Sequence, residues 1–358
     1  MFDCDALPDS ECVYFRPTSF FESIDGVGRP YFNLTLPWRG TDRKNDGEGG
    51  DSDTTLLLPK HANFLRLRRL ATNSSSTSRS AASAPRDLVG GNTSNVSSSS
   101  LPSPLVPRDM AYLHLHKNGG TTVNQAMRAF VIRSRGRQRG RQRGGRGGGK
   151  GATPQYRLDE YYFPRTHKMT LTQLRRATSN VMGFIAAKQK MGGRRAREST
   201  AFTFLRHPLH KFVSAVGEVV HQGKMGPCQS FRGKELAECA LNFLVGEEEG
   251  GNGEGSPGLA YNQHFKPQVI ELYDCAGGTD VKVSLLDMSS IGKFVGDGCL
   301  GLKKHFRGRP ETRRFFGKGD FLENLDERMV RKLCELYEVD VVFFREIGRE
   351  VPECDPYV

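Results

Sequence analysis

No CxxC pair occurs in this chain, although it has eight cysteines: Cys4, Cys12, Cys228, Cys239, Cys275, Cys299, Cys334 and Cys354. Scattered in this way they are not expected to form a zinc site. They permit disulfides without specifying them. No run approaches the roughly 18–20 apolar residues that a membrane-spanning helix needs. The first ten residues, Met1–Ser10, carry acids and lack the apolar core of a secretory signal. Neither a membrane span nor a signal segment is therefore expected. No GK[ST] closes a glycine-rich loop, which excludes the Walker A form of phosphate loop. Hydrophobic residues are scarce, at 37%, so part of the chain is not expected to pack.

Two stretches account for that scarcity. Residues 73–100 are dominated by serine, and residues 133–152 are almost purely Arg, Gln, Gly and Lys. Neither has the apolar surface to offset the entropy of ordering. The second also explains the charge. Of a net +12, eight cations (Arg133, Arg135, Arg137, Arg139, Arg141, Arg143, Arg146 and Lys150) sit in that stretch with no acid, which leaves the rest at only +4. The basic balance is thus a property of one flexible insert, and no nucleic-acid partner is expected of the remainder. Arg/Gly tracts do bind RNA. This one has no interleaved aromatics, so it reads as a solvated loop extension. Four glycosylation sequons begin at Asn33, Asn73, Asn92 and Asn95. A serine-rich tract creates such sequons by chance, so they lean only weakly towards a secretory compartment.

The chain divides into an N-terminal region, 1–109, ending in a Ser- and Pro-rich linker or stem at 73–107, and an ordered region, 110–350. In the first, Leu56–Leu58 and Phe64–Leu70 read as short helical pieces. In the second, Ala111–Leu115 reads as a strand and Thr121–Ile132 as a helix. Leu171–Met182 follows as a helix, Ala201–Leu205 as a strand, and His210–Val220 as a helix. Val281–Leu286 reads as a strand, and Leu325–Val342 as a helix running into a strand-like Val341–Phe344. Strands alternating with helices predict an α/β fold with a mainly parallel central sheet.

Two segments carry chemistry. His116-Lys117-Asn118-Gly119-Gly120-Thr121-Thr122 lies between a strand and a helix. Glycines let backbone amides approach a phosphate, and the helix N-terminus adds unpaired N–H groups. Thr121 and Thr122 add hydroxyls and Lys117 a full charge. The plain alternative is a glycine turn with a threonine N-cap. Leu205-Arg206-His207-Pro208, with Lys211, Phe212 and Ser214, puts an arginine at the end of a strand. There its fork matches phosphate geometry, and Ser214, on the next helix, faces the same anion. The alternative is a surface ion pair.

The pair of segments resembles a family. Lys117–Thr122 is similar to the K-T-G-G-T-T loop that holds the 5′-phosphosulfate of PAPS (3′-phosphoadenosine-5′-phosphosulfate) in carbohydrate sulfotransferases. Leu205–Ser214 is similar to their R-D-P-x-x-R-F-x-S segment, whose Arg and Ser hold the donor's 3′-phosphate. Asn262–Gln268 resembles their H-[WF]-x-P-Q segment, and Leu336–Asp340 with Phe343-Phe344 their closing L-Y-x-x-D…L-F pattern. The resemblance covers about residues 110–345, with four landmarks in family order. Thr166-His167-Lys168 through Leu174 resembles the segment bearing the catalytic histidine of heparan sulfate 6-O-sulfotransferases, with one residue more between His167 and Leu174. His116 stands where Pro is usual, and His207 where Asp is usual.

The resemblance, which extends to chondroitin sulfotransferases, implies a P-loop-like three-layer fold. It also implies sulfuryl transfer from PAPS to a hydroxyl of a carbohydrate or other hydroxylated acceptor, including an anionic glycan, without a metal. Donor binding falls to Lys117, Asn118, Gly119, Gly120, Thr121, Thr122, Arg206 and Ser214. Catalysis falls to Lys117 and a histidine base, His167 first and His264 in reserve, with Glu218 behind them. The family works at the Golgi membrane or lumen; no anchor is visible here, and the cytoplasm is not excluded. The competing readings are a nucleotide-binding phosphotransferase, which lacks a clear second acidic motif, and an RNA-binding protein acting through the Arg/Gly tract.

Overall fold

A computed structural model describes residues 12–16, 64–69, 109–143, 155–161, 171–191, 199–245, 262–276, 279–296, 299–302 and 325–358. Its centre is one six-stranded sheet. The strands are β1 (Cys12–Phe15), β2 (Phe64–Arg69), β3 (Asp109–Leu113), β4 (Tyr156–Tyr161), β5 (Ser199–Leu205) and β6 (Val283–Asp287), in the order β1-β6-β5-β3-β2-β4. Only the middle is parallel. β3 pairs with β5 and β5 with β6 in parallel register, whereas β1 joins β6, and β2 joins β3 and β4, antiparallel. The mainly parallel sheet expected from the sequence is therefore a mixed sheet with a parallel centre. Two of its strands come from before residue 110, so the sheet does not respect that boundary.

The helices are α1 (Gly120–Arg143), α2 (Leu171–Lys190), α3 (Pro208–His221), α4 (Gly233–Val245), α5 (Gln268–Ala276), α6 (Ile291–Val295), α7 (Glu327–Leu336) and α8 (Glu338–Glu346). Strand side chains alternate between faces, and two cores result. Met110, Tyr112, Phe202 and Phe204 face α1 and α6, packing on Val123, Met127, Val131 and Phe294. Ala111, Leu113, Ala201 and Leu205 face the other way, against Met182 and Ile185 of α2, Phe212 and Val216 of α3, and residues of α4, α5, α7 and α8. Helices thus cover both faces of the sheet.

Three sequence expectations need correction. Within the segment read as Phe64–Leu70, Phe64–Arg69 is a strand. Leu65 and Leu67 are fully buried, while Arg66 and Arg68 pair with Asp109 and Asp159. That period of two outweighs the helix propensity of Leu and Arg. Val341–Phe344 lies inside helix α8, where Val339, Val341, Phe343 and Phe344 are all buried. A short apolar run does not tell a buried helix from a strand. The Arg/Gly insert is not a loop from its start, because α1 continues to Arg143. The buried turns before Ile132 supply the nucleus, and Arg and Gln propagate a helix at little cost. Strand β4 had no counterpart in the sequence reading.

Among the described residues, disulfides join Cys228 to Cys239 and Cys334 to Cys354. Cys299 is free and buried. The serine-rich linker, the four sequons and Leu56–Leu58 lie outside the described residues.

Candidate functional site

Strands β3 and β5 are parallel neighbours, but the chain leaves them in opposite directions. After β3 it enters α1 on one face; after β5 it enters α3 on the other. The C-terminal ends of these two strands therefore flank a topological switch point, the place where open α/β sheets form a ligand crevice. Both sequence motifs end up there.

The loop after β3 is shaped for close approach. Lys117 has φ 66° and Gly119 φ 75°. A left-handed non-glycine residue costs about 1–3 kcal/mol and points to a site that needs it. A Cβ on Gly119 would fall 2.2 Å from Ile291 Cδ1, and one on Gly120 1.8 Å from the His114 ring. Neither position admits a side chain without displacement of its neighbours. Helix α1 begins at Gly120 with no acid in its first turn. Its leading N–H groups have no acceptor within the helix, the arrangement that suits a helix start to an anion.

Asn118 serves differently from its neighbours. It is fully buried, and its Nδ2 donates to Phe204 O at 2.8 Å and to Gln268 Oε1 at 2.5 Å. Its own N–H donates to Leu115 O. The residue stitches the loop to β5 and presents neither group to a phosphate.

Gln268 completes the stitch. Its Oε1 also accepts from Arg206 N at 2.9 Å, and its Nε2 donates to Arg206 O at 2.7 Å. The backbone of Arg206 is thereby clamped on both sides. Asp340, fully buried, accepts from Gln268 N at 2.9 Å and Val269 N at 3.0 Å, capping α5. Tyr337 Oη donates to Phe265 O at 2.8 Å. All four landmarks therefore belong to one hydrogen-bonded assembly. The last landmark holds the third, and the third ties together the two anion loops.

The Arg206 side chain makes no hydrogen bond or ion pair among the described residues. Burial lowers its pKa, the direction expected of a cation withdrawn from solvent. Ser214 is 6% exposed and lies on α3, eight residues on. Ser214, Glu218 and Gln222 follow one another at i, i+4 and i+8, which puts them on one stripe, roughly 6 Å apart per step.

Lys117 Nζ donates to Glu218 Oε2 at 2.9 Å. Burial opposes the charge on Glu218, but Lys117, Gln222 and His264 outweigh it and hold the carboxyl at about 2. Gln222 Nε2 donates to Glu218 Oε1 at 2.9 Å and lies 3.1 Å from His264 Nε2. Burial, then His116 and Lys117, push His264 down to about 3. It is neutral at physiological pH.

Behind this front lies a second charged group. Glu271 Oε2 accepts from His116 N at 2.9 Å, and Oε1 pairs with His116 Nδ1. Lys211, with no exposed surface, reaches Glu271 Oε2 at 3.4 Å and donates to Lys266 O. Burial raises the Glu271 pKa, yet Lys211 and His116 prevail and bring it to about 2. Glu271→Gln is expected to cost about 3 kcal/mol at pH 7, because it strands Lys211 in the interior. The folded pKa is depressed, so this stabilisation is complete above the ordinary carboxylate range. It disappears as pH falls through 4.5 towards 2. Urea titrations of both proteins at pH 7 and pH 3 check the size and the direction.

Of the residues singled out in the sequence, Lys117, Gly119, Gly120, Thr121 and Thr122 follow β3 and Arg206 follows the neighbouring β5, and Ser214 lies one turn before Glu218, the partner of Lys117. His264 joins them through Gln222. His167 lies outside the described residues. His207, where the resemblance has Asp, pairs instead with Glu353 at 3.3 Å. Sequence reasoning assigned no role to Gln222 or Glu271, and Glu218 only the last place among bases. Helical spacing from Ser214 identifies Glu218 and Gln222. Among the described residues no group of three or more His, Cys, Asp or Glu side chains is arranged to hold a metal. No helix among them is long and apolar enough to cross a membrane. Comparison with family models, with characterised proteins and with solved structures finds no match to this chain.

Proposed function

We propose that this chain is a PAPS-dependent sulfotransferase that acts on a hydroxyl of a carbohydrate acceptor. The observation that carries the reading is the Gln268 bridge. It fixes the Lys117 loop and Arg206 side by side at a topological switch point, with the arginine fork unpaired among the described residues. A donor with phosphates at both ends needs two anion sites held at a constant separation. In this reading the amides of Gly119–Thr122 and Lys117 receive the 5′-phosphosulfate, while Arg206 and Ser214 receive the 3′-phosphate. The motif order and the helices on both faces support a P-loop-like fold. The two disulfides support an oxidising compartment such as the Golgi lumen. The Arg-rich end of α1 suits an anionic glycan.

The acceptor oxygen attacks sulfur, the bond from sulfur to the phosphate oxygen breaks, and that oxygen keeps the electron pair. The acceptor proton goes to a base. The resemblance gives that role to His167, and the sequence alone stands behind it.

Arg206→Ala tests the donor assignment. PAP, the desulfated product, is expected to bind roughly 10²-fold more weakly to the variant, since charge-assisted bonds to a phosphate are lost. Adenosine 5′-phosphosulfate, which has no 3′-phosphate, should bind both proteins alike. Titration calorimetry with the two ligands separates these outcomes; an equal loss for both removes Arg206 from the 3′-phosphate. A radiolabelled-sulfate transfer screen over glycans and small alcohols identifies the acceptor.

A further inference from the structure

We infer that Glu218 is the catalytic base, and that donor binding uncovers it by drawing Lys117 away. The inference rests on the sulfotransferase reading. Lys117 Nζ holds Glu218 Oε2 at 2.9 Å. An ammonium binds an anionic oxygen at about this distance, so Oε2 stands beside the position that the phosphosulfate oxygens take on Lys117. A bound donor competes with Glu218 for the same cation.

The rest of the carboxylate is oriented for proton transfer. Gln222 Nε2 carries two hydrogens and has no acceptor capacity. One hydrogen goes to Glu218 Oε1, since a carboxylate only accepts. The other points at His264 Nε2, 3.1 Å away. That nitrogen is therefore the bare one, and the proton sits on Nδ1, which is buried and has no hydrogen-bond partner among the described residues. The arrangement is a base steadied by an amide, which is steadied by a neutral imidazole. The same tautomer removes His264 as a base, because its lone pair is already engaged.

Other titratable groups at this spot are also engaged. His116 is tied to Glu271, which also pairs with Lys211, and Asp340 is buried with both oxygens on backbone N–H groups. The Glu218 side chain keeps 23% of its surface exposed. Lys117 faces it from the loop after β3, His264 from the segment before α5, and Gln222 from the C-cap of its own helix. With Lys117 transferred to the donor, the burial that opposes its charge is no longer outweighed by that cation, and the carboxylate becomes more basic. It then takes the hydroxyl proton as the acceptor oxygen bonds to sulfur and the 5′-phosphate oxygen departs with its electron pair.

The test is Glu218→Gln, which keeps the shape and the Gln222 bond. PAP should bind this variant roughly 3- to 10-fold more tightly than the native protein, since Lys117 has lost its competing anion. Sulfate transfer from labelled PAPS to de-O-sulfated heparin, or to the glycan that takes label in the screen, should fall by more than tenfold, of the order of 10²–10⁴. The acid limb of the pH–rate profile should vanish in Glu218→Gln and persist in His167→Ala, and Glu218→Asp should restore part of the rate. Weaker PAP binding, a rate loss under tenfold, or an acid limb that survives in Glu218→Gln and disappears in His167→Ala overturns the inference. A native protein that binds no PAP overturns the sulfotransferase reading itself, a result distinct from any of these.

Discussion

Lys117→Ala is expected to lower kcat by about 10²–10³-fold, the loss typical of one donor aimed at developing charge in a dry site. The leaving group is a phosphate oxygen whose negative charge grows as the bond to sulfur breaks. Lys117 is held at the mouth of a loop whose backbone conformation, φ 66°, is unfavourable for lysine, and its ammonium reaches across to Glu218 of α3 at 2.9 Å. The charge meets the phosphosulfate before reaction as well, so the variant should also bind PAPS more weakly. The effect on kcat distinguishes it from a pure binding contact, which would raise KM alone. The variant has a second consequence. Without Lys117 the Glu218 carboxyl loses the cation that holds it at about 2, and burial raises it. Carbon-13 NMR of labelled glutamate, followed through an acid titration, should show one resonance moving to higher pH in Lys117→Ala. A kcat within tenfold of native would place the charge elsewhere. Lys117→Arg keeps the charge and separates loss of charge from loss of loop shape.

The parts of this site legible in the sequence were those with local causes. A strand, two glycines and a helix start made the Lys117 loop readable, because a phosphate cradle is built within a few consecutive residues. Arg206 was readable for the same reason, at a strand end before a helix-starting proline. The links between them were not. Asn118 looks like a loop donor by position, yet it is fully buried on Phe204 O and Gln268, partners 86 and 150 residues away in the chain. Glu218 lies on α3 and Gln222 at its C-cap; the sequence offered Glu218 only as the last of the candidate bases and gave Gln222 no role. Strand β2, between β3 and β4, was lost for another reason. β2 carries arginines at alternate positions, each paired across strands, and cross-strand ion pairs are invisible to a one-dimensional pattern of hydrophobicity.

Gln268→Ala is the variant with the broadest expected effect, and it tests whether the site is one assembly. The substitution leaves the N–H and C=O of Arg206 and one hydrogen of Asn118 without partners in a buried region. Each such group costs about 1–3 kcal/mol, and some find water, so the stability loss should come to about 3–5 kcal/mol in urea titrations. Asp340 retains its bonds, because it holds the backbone N–H groups of residues 268 and 269 rather than the glutamine side chain. The α5 N-terminus should therefore stay capped. The damage should concentrate at the switch point. Amide hydrogen exchange should quicken in 114–119 and 204–207, with α5 and the disulfide-linked α7 little changed. PAP affinity should fall even where the variant remains folded, because both anion loops lose their common brace. Adenosine 5′-phosphosulfate should weaken too, which separates this variant from Arg206→Ala, where only the 3′-phosphate is affected. If Gln268→Ala loses stability but keeps native PAP affinity, the bridge supports the fold alone, and the two loops reach their positions through the sheet. If PAP and adenosine 5′-phosphosulfate weaken together in proportion, the separation of the two anion sites is set by this one amide.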